Sequence, residues 1–186
     1  IDAACGHTEL VASGDALKTN YAYRFRLTDI GGAAITLRTI ATLTDGAAIV
    51  NILNAVGYDA MVMGNDDTRA GSEHVKELAE GLNFEVLAAN YTDYAGSRIF
   101  PDDYMIIEEA GKKIGVFGLT AEIHETEEES QNGRTPDPVE MAIPIVAALQ
   151  EEGVDYIIAL THLGAGSAYE DSGSEYVASN VDGINL

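Results

Sequence analysis

The chain has 186 residues, enough for one domain with a real core and too few for two comfortable ones. Ten Lys and Arg face thirty-one Asp and Glu, and the formal net charge of −21 sets nucleic-acid backbones and anionic membrane surfaces aside as partners. Hydrophobic residues make up 46%, a globular composition, and no stretch reaches the apolar length that spans a bilayer, so no membrane insertion is expected. The acidity has two readings, a solvated acidic surface or a chain that collects divalent cations. Cys5 is the only cysteine, which rules out an internal disulfide. The first residue is Ile1, from which a processed N-terminus and an extracellular, cell-surface or periplasmic location are expected.

In chain order, Ile1 to Ile30 mixes turn formers with one strand-like stretch, Tyr21 to Leu27, and its organisation stays open. After Gly31-Gly32, Ile35, Leu37, Ile40 and Leu43 recur at helical spacing and predict a helix from Ala33 to Leu43. Asp45-Gly46 signals a turn, and Ala47 to Val56 reads as a second helix closed by Gly57. Tyr58 to Met63 is a buried strand running into a Gly-Asn turn. Ser72 to Gly81 follows as a helix with Ser72 as N-cap, then Phe84 to Ala89 as a strand. Tyr104 to Glu109 and Lys112 to Leu119 form a hairpin around Gly111.

An acidic loop, His124 to Asp137, leads to Pro138, a residue suited to a first helical turn, and a helix from Val139 to Glu152 ends at Gly153. Asp155 to Leu160 is a continuous apolar strand. A short helix is expected within Tyr169 to Val181, and a buried strand starts at Gly183-Ile184-Asn185-Leu186. Strands apolar on both faces, alternating with helices, predict an α/β fold whose sheet is covered by helices. There is no internal repeat and no linker, so residues 1–186 read as a single domain.

Three segments carry a family likeness. Ile52 to Asn65 pairs a helix and a strand with a Gly-Asn turn; Gly111 to Thr120 is a central hairpin strand; Asp137 to Glu140 and Leu149 to Gly164 give a helix, a strand and the loop Thr161-His162-Leu163-Gly164. Together with Gly31-Gly32-Ala33-Ala34 these make residues 31–186 resemble the catalytic domain of the 5′-nucleotidase family of calcineurin-like metallophosphoesterases. The resemblance implies a layered sheet covered by helices and two divalent metals about 3.5–4 Å apart that clamp a phosphate and generate a bound hydroxide. It assigns Asn65 and His162 as metal ligands and leaves Asp2 as the counterpart of an N-terminal carboxylate ligand, in an ambiguous register.

The sequence departs from the family at several points. Asp66 stands where the family has its catalytic His, and Asp67 where it has Glu, and a carboxylate does not offset phosphoryl charge. Leu43 to Ala47 runs from helix to helix where a central strand and a bridging Asp are expected, and the family's last metal-binding segment would follow Leu186, so both strands are read as missing. Asn65, Asp66 and Asp67 together could instead make an oxygen-rich calcium or magnesium site, or be an acidic loop tip.

The other candidates have plainer readings. His74 reads as solvent-facing, His124 as part of an acidic loop, and His7 and Cys5 as weak metal or nucleophile candidates. Tyr91, Tyr94 and Tyr104 read as edge packing. Two functions follow. The first is a degenerate, non-catalytic domain, with or without a bound Mn, Zn, Mg or Ca ion, that assembles into a homo-oligomer or filament through unpaired strand edges. The alternative is a metal-dependent hydrolase of nucleotides or other phosphate esters, or a fragment of one.

Overall fold

The computed structural model describes residues 27–28, 34–35, 46–122, 133–165 and 172–186, and everything below refers to these. Strands β1 (Leu27–Thr28) and β2 (Ala34–Ile35) pair antiparallel, with Leu27 opposite Ile35. The expected helix from Ala33 therefore does not include Ala34 and Ile35. Short apolar runs carry strand and helix periods equally well, and here pairing with β1 decides. The rest of that helix and the stretch Tyr21 to Arg26 lie outside the described residues.

Helix α1 (Ala47–Val56) buries Ile49, Val50 and Leu53 on one face and ends at Gly57, whose left-handed backbone (φ 80°) suits glycine. Strand β3 (Ala60–Val62) lies parallel to β4 (Glu85–Leu87), with Met61 opposite Val86, and helix α2 (Ser72–Glu80) makes the crossover. Ser72 is the first residue of α2 and not its cap, because Gly71, at φ 93°, turns the chain into the helix without a side-chain hydrogen bond. The Asn54 side chain ties α1 to the end of α2, donating to the Gly81 carbonyl (2.9 Å) and accepting from the Asn83 N–H (2.8 Å). Ile49, Leu53, Met63, Val75, Val86 and Phe100 form the core of this half.

The second half is a three-stranded sheet. Strand β5 (Tyr104–Glu109) runs antiparallel to β6 (Lys112–Thr120), and β6 is parallel to β7 (Tyr156–His162) across helix α3 (Pro138–Glu151). Pro138 opens α3 and Asp137 caps it, its Oδ1 accepting from the N–H groups of Val139 (2.8 Å) and Glu140 (3.0 Å). A short helix α4 (Ser174–Asn180) packs against α3 and places Val177 in the core of this half. Phe117, Leu119, Ala142, Leu149, Ile157 and Val177 form this second core.

The two sheets face each other. Along β6, a Cβ at Gly115 would meet Leu149 of α3, whereas one at Gly118, on the opposite face, would meet the Leu87 backbone of β4. The Ala89 N–H then donates to the Gly118 carbonyl at 2.9 Å, so β4 and β6 meet directly. The layers therefore run helices, sheet, sheet, helices. At the chain's end, Asn185 donates to the Ile157 carbonyl (2.8 Å) and the Ala159 N–H to Leu186 (2.7 Å), so a further stretch of ladder begins beside β7. Asn185 and Leu186 are exposed, not buried as expected.

Candidate active site at the strand ends

Asn65 is the first residue of a 3-10 turn, Asn65–Ala70, that follows β3, and His162 is the last residue of β7. Both therefore stand at carboxyl ends of parallel strands. On β7 His162 shares a face with Leu160 and Ile158, opposite to Ile157, which enters the α3 core, so the imidazole points between the sheets. There His162 Nε2 lies 3.2 Å from Asn65 Oδ1, joining two half-buried residues 97 positions apart. With the proton on Nε2, the imidazole donates to the amide oxygen.

The 3-10 turn holds Asn65 in place. Asp67 is 2% exposed and its Oδ2 accepts from the Gly64 N–H at 2.9 Å, while the Thr68 hydroxyl donates to the Asn65 carbonyl at 2.7 Å. The reading of Asp67 as an acidic loop tip is thereby corrected. Its carboxylate turns inward because the first N–H groups of the turn lack backbone partners. The Asp66 side chain lies outside the described set, as do Asp2, Cys5, His7 and His124. Beyond His162, the Ser174 N–H at the start of α4 donates to the Gly164 carbonyl at 2.9 Å.

Two residues that sequence reading passed over complete the strand ends. Asn90, 1% exposed and just past β4, accepts from the Thr120 N–H and donates to the Thr120 carbonyl, each at 2.8 Å. Thr120 is the register partner of His162. The available signal was an asparagine directly after an apolar strand, the same signature as Asn65. The remaining candidates lie elsewhere. His74 is half-buried on α2, 4.0 Å from Glu77, and not fully solvent-facing. Tyr91 is core and not edge: it is 1% exposed, tilted against Phe100 with centroids 6.2 Å apart, and burial pushes its phenol up. Tyr94 lies under the Arg134 guanidinium at 4.9 Å, and Tyr104 packs against the second core. A cavity of about 600 Å³ beside β4 and α2, lined by Lys76, Phe84, Arg98 and Phe100 among others, shares no residue with the strand-end site.

Among the described residues no three His, Cys, Asp or Glu side chains gather as a metal-binding group, so the donors that converge are one amide oxygen and one imidazole. Oxygen and imidazole donors suit Mn, Zn or Mg. Two ligand atoms at about 2.1 Å from an ion and at right angles to each other lie about 3 Å apart. The 3.2 Å spacing of Asn65 and His162 matches such a pair.

A double-layered α/β fold with polar side chains collected at the carboxyl ends of its parallel strands defines the class. No family model matches the chain. It is 31% identical over 160 residues to a probable 5′-nucleotidase of Treponema pallidum, covering 83% of this chain and 26% of that protein. Its identity to a 5′-nucleotidase of Vibrio cholerae is 37% over 122 residues, covering 60% and 21%. The calcineurin-like phosphoesterase YfkN of Bacillus subtilis superposes with a TM-score of 0.64 at 27% identity, over 74% of this chain and 46% of that one. The chain is thus a relative of the 5′-nucleotidases and shares its fold with the calcineurin-like phosphoesterases. It spans about a quarter or less of the length of the two nucleotidases it matches.

Proposed function

We propose that this domain is the metal-binding part of a phosphate-ester hydrolase of 5′-nucleotidase type, with nucleotides as the substrate class. The observation that carries the reading is the meeting of Asn65 Oδ1 and His162 Nε2 at 3.2 Å, the two residues to which the sequence resemblance assigns metal-ligand roles. Asn65 and His162 would hold a divalent cation, which supplies Lewis-acid polarisation of a phosphate oxygen and a bound water of lowered pKa. Supporting it are the relatives, named as 5′-nucleotidases. A location outside the cytoplasm goes with the proposal, supported by the net charge of −21.

Asp66 favours a second reading, because a carboxylate stands where imidazole would balance phosphoryl charge. On that reading the sheet lacks a central strand and the domain binds or assembles without turnover, using its open strand edges. One assay separates the two: phosphate release from AMP and from an aryl phosphate with manganese, cobalt or zinc. The hydrolase reading expects metal-dependent release that His162→Ala and Asn65→Ala each remove. Release no higher than the buffer blank from folded protein rejects it, and a stable oligomer by light scattering then supports assembly.

A further inference from the structure

We infer that Asn90 is a positioning residue for His162: by clamping the end of β6 from the opposite sheet, it sets the spacing at which the imidazole meets the Asn65 amide. The inference rests on the metal-site reading above. Asn90 grips both backbone groups of Thr120, N–H and carbonyl, at 2.8 Å each. Its Nδ2 also faces the Pro136 carbonyl at 3.5 Å, just before the cap of α3. Thr120 pairs with His162 in the β6–β7 ladder, and Val62 pairs with Leu87 in the β3–β4 ladder. The ends of four strands therefore form a closed circuit: β3 to β4 by ladder, β4 to β6 through Asn90, β6 to β7 by ladder, and β7 back to β3 through His162 and Asn65.

Holding the sheets together does not by itself require this clamp. The Ala89 N–H already bonds to the Gly118 carbonyl, two residues before Thr120. What Asn90 adds is lateral fixation at the row of His162. The chemistry also demands asparagine, since the position needs one acceptor and one donor side by side; aspartate supplies only the acceptor and alanine neither. Thr120 contributes backbone alone to the clamp, and its buried hydroxyl makes no hydrogen bond among the described residues. That separates the clamp from the Thr120 side chain and provides a control.

The test is manganese affinity of the full chain by titration calorimetry, with folding checked by circular dichroism. Groups that orient metal ligands without touching the metal typically change affinity by about 10–100-fold when removed. Asn90→Ala is expected to bind manganese that much more weakly, whereas Thr120→Val stays within about twofold of wild type on the same scale. Val86→Ala, which loosens the β3–β4 core without touching the clamp, is expected to keep wild-type affinity. Wild-type affinity in Asn90→Ala, or an equal loss in Val86→Ala, overturns the inference and leaves the metal site standing. Indistinguishable titrations of wild type and His162→Ala overturn the metal site itself, and the inference with it. Where Asn90→Ala does not fold, Asn90→Asp, which keeps the shape and one bond, must show the loss; wild-type affinity there overturns the inference.

Discussion

Replacing Gly118 by alanine puts a methyl group where the Leu87 carbonyl of the facing sheet already lies. The obstacle is backbone on both sides, so no rotamer change relieves it and the sheets must separate. Gly115, three residues earlier on the same strand, offers a matched comparison. Its added methyl meets Leu149 Cδ2 at 2.6 Å and Cδ1 at 2.9 Å, the far end of a side chain that can turn away. Overpacking costs about 1–3 kcal/mol, which places Gly118→Ala at about 3 kcal/mol and Gly115→Ala near about 1 kcal/mol. Neither glycine has a positive φ, so alanine also lowers the entropy of the unfolded chain and offsets about 0.4–1 kcal/mol in both variants. With a urea slope of about 2 kcal/mol/M, the midpoint falls by more than about 1 M for Gly118→Ala and by less than about 0.5 M for Gly115→Ala. A Gly118→Ala midpoint equal to wild type, or a larger shift for Gly115→Ala, refutes the direct packing of β4 on β6.

Asp67→Ala strips the Gly64 N–H of its buried acceptor and should cost about 1–3 kcal/mol in urea unfolding, with the Asn65 amide resonances shifting as the turn loosens. Asp137→Ala removes the cap of α3 and should cost about 1 kcal/mol, read as a lower urea midpoint with an unchanged slope. The Lys112 ammonium first, and the Lys113 N–H next, hold the Asp155 carboxyl below the ordinary carboxylate range. Its folded pKa lies below its unfolded one, so the stability it lends is present above about pH 4 and drains as the pH falls through the folded pKa. Asp155→Asn should flatten the fall of the melting temperature between neutral and acid pH; an unchanged profile argues against that contribution.

Much of the fold was legible because burial imposes regular patterns. Helix α1 showed its apolar spacing and its Gly57 stop, α3 its Asp137-Pro138 start, and β6 and β7 their unbroken apolar runs. Asn65 and His162 were legible through motif context, and their 3.2 Å meeting required the fold. Illegible were features whose cause lies far along the chain. Ser72 looks like a cap until Gly71 takes that role through its backbone angle. Ala34 and Ile35 fit a helix until β1 offers pairing. Asp67 turns inward to the Gly64 N–H, and Asn90 grips a strand 30 residues away, which no local pattern records.

The two cores bear on how an ion would act. Asn65 stands at the end of β3, a strand of the first sheet, and His162 at the end of β7, a strand of the second, so a cation gripping both staples one hydrophobic unit to the other. Such a staple stabilises only the docked arrangement, because in the separated halves each donor stands alone. Loading the metal would then make the two halves melt as one, and a chelator would let them come apart in sequence.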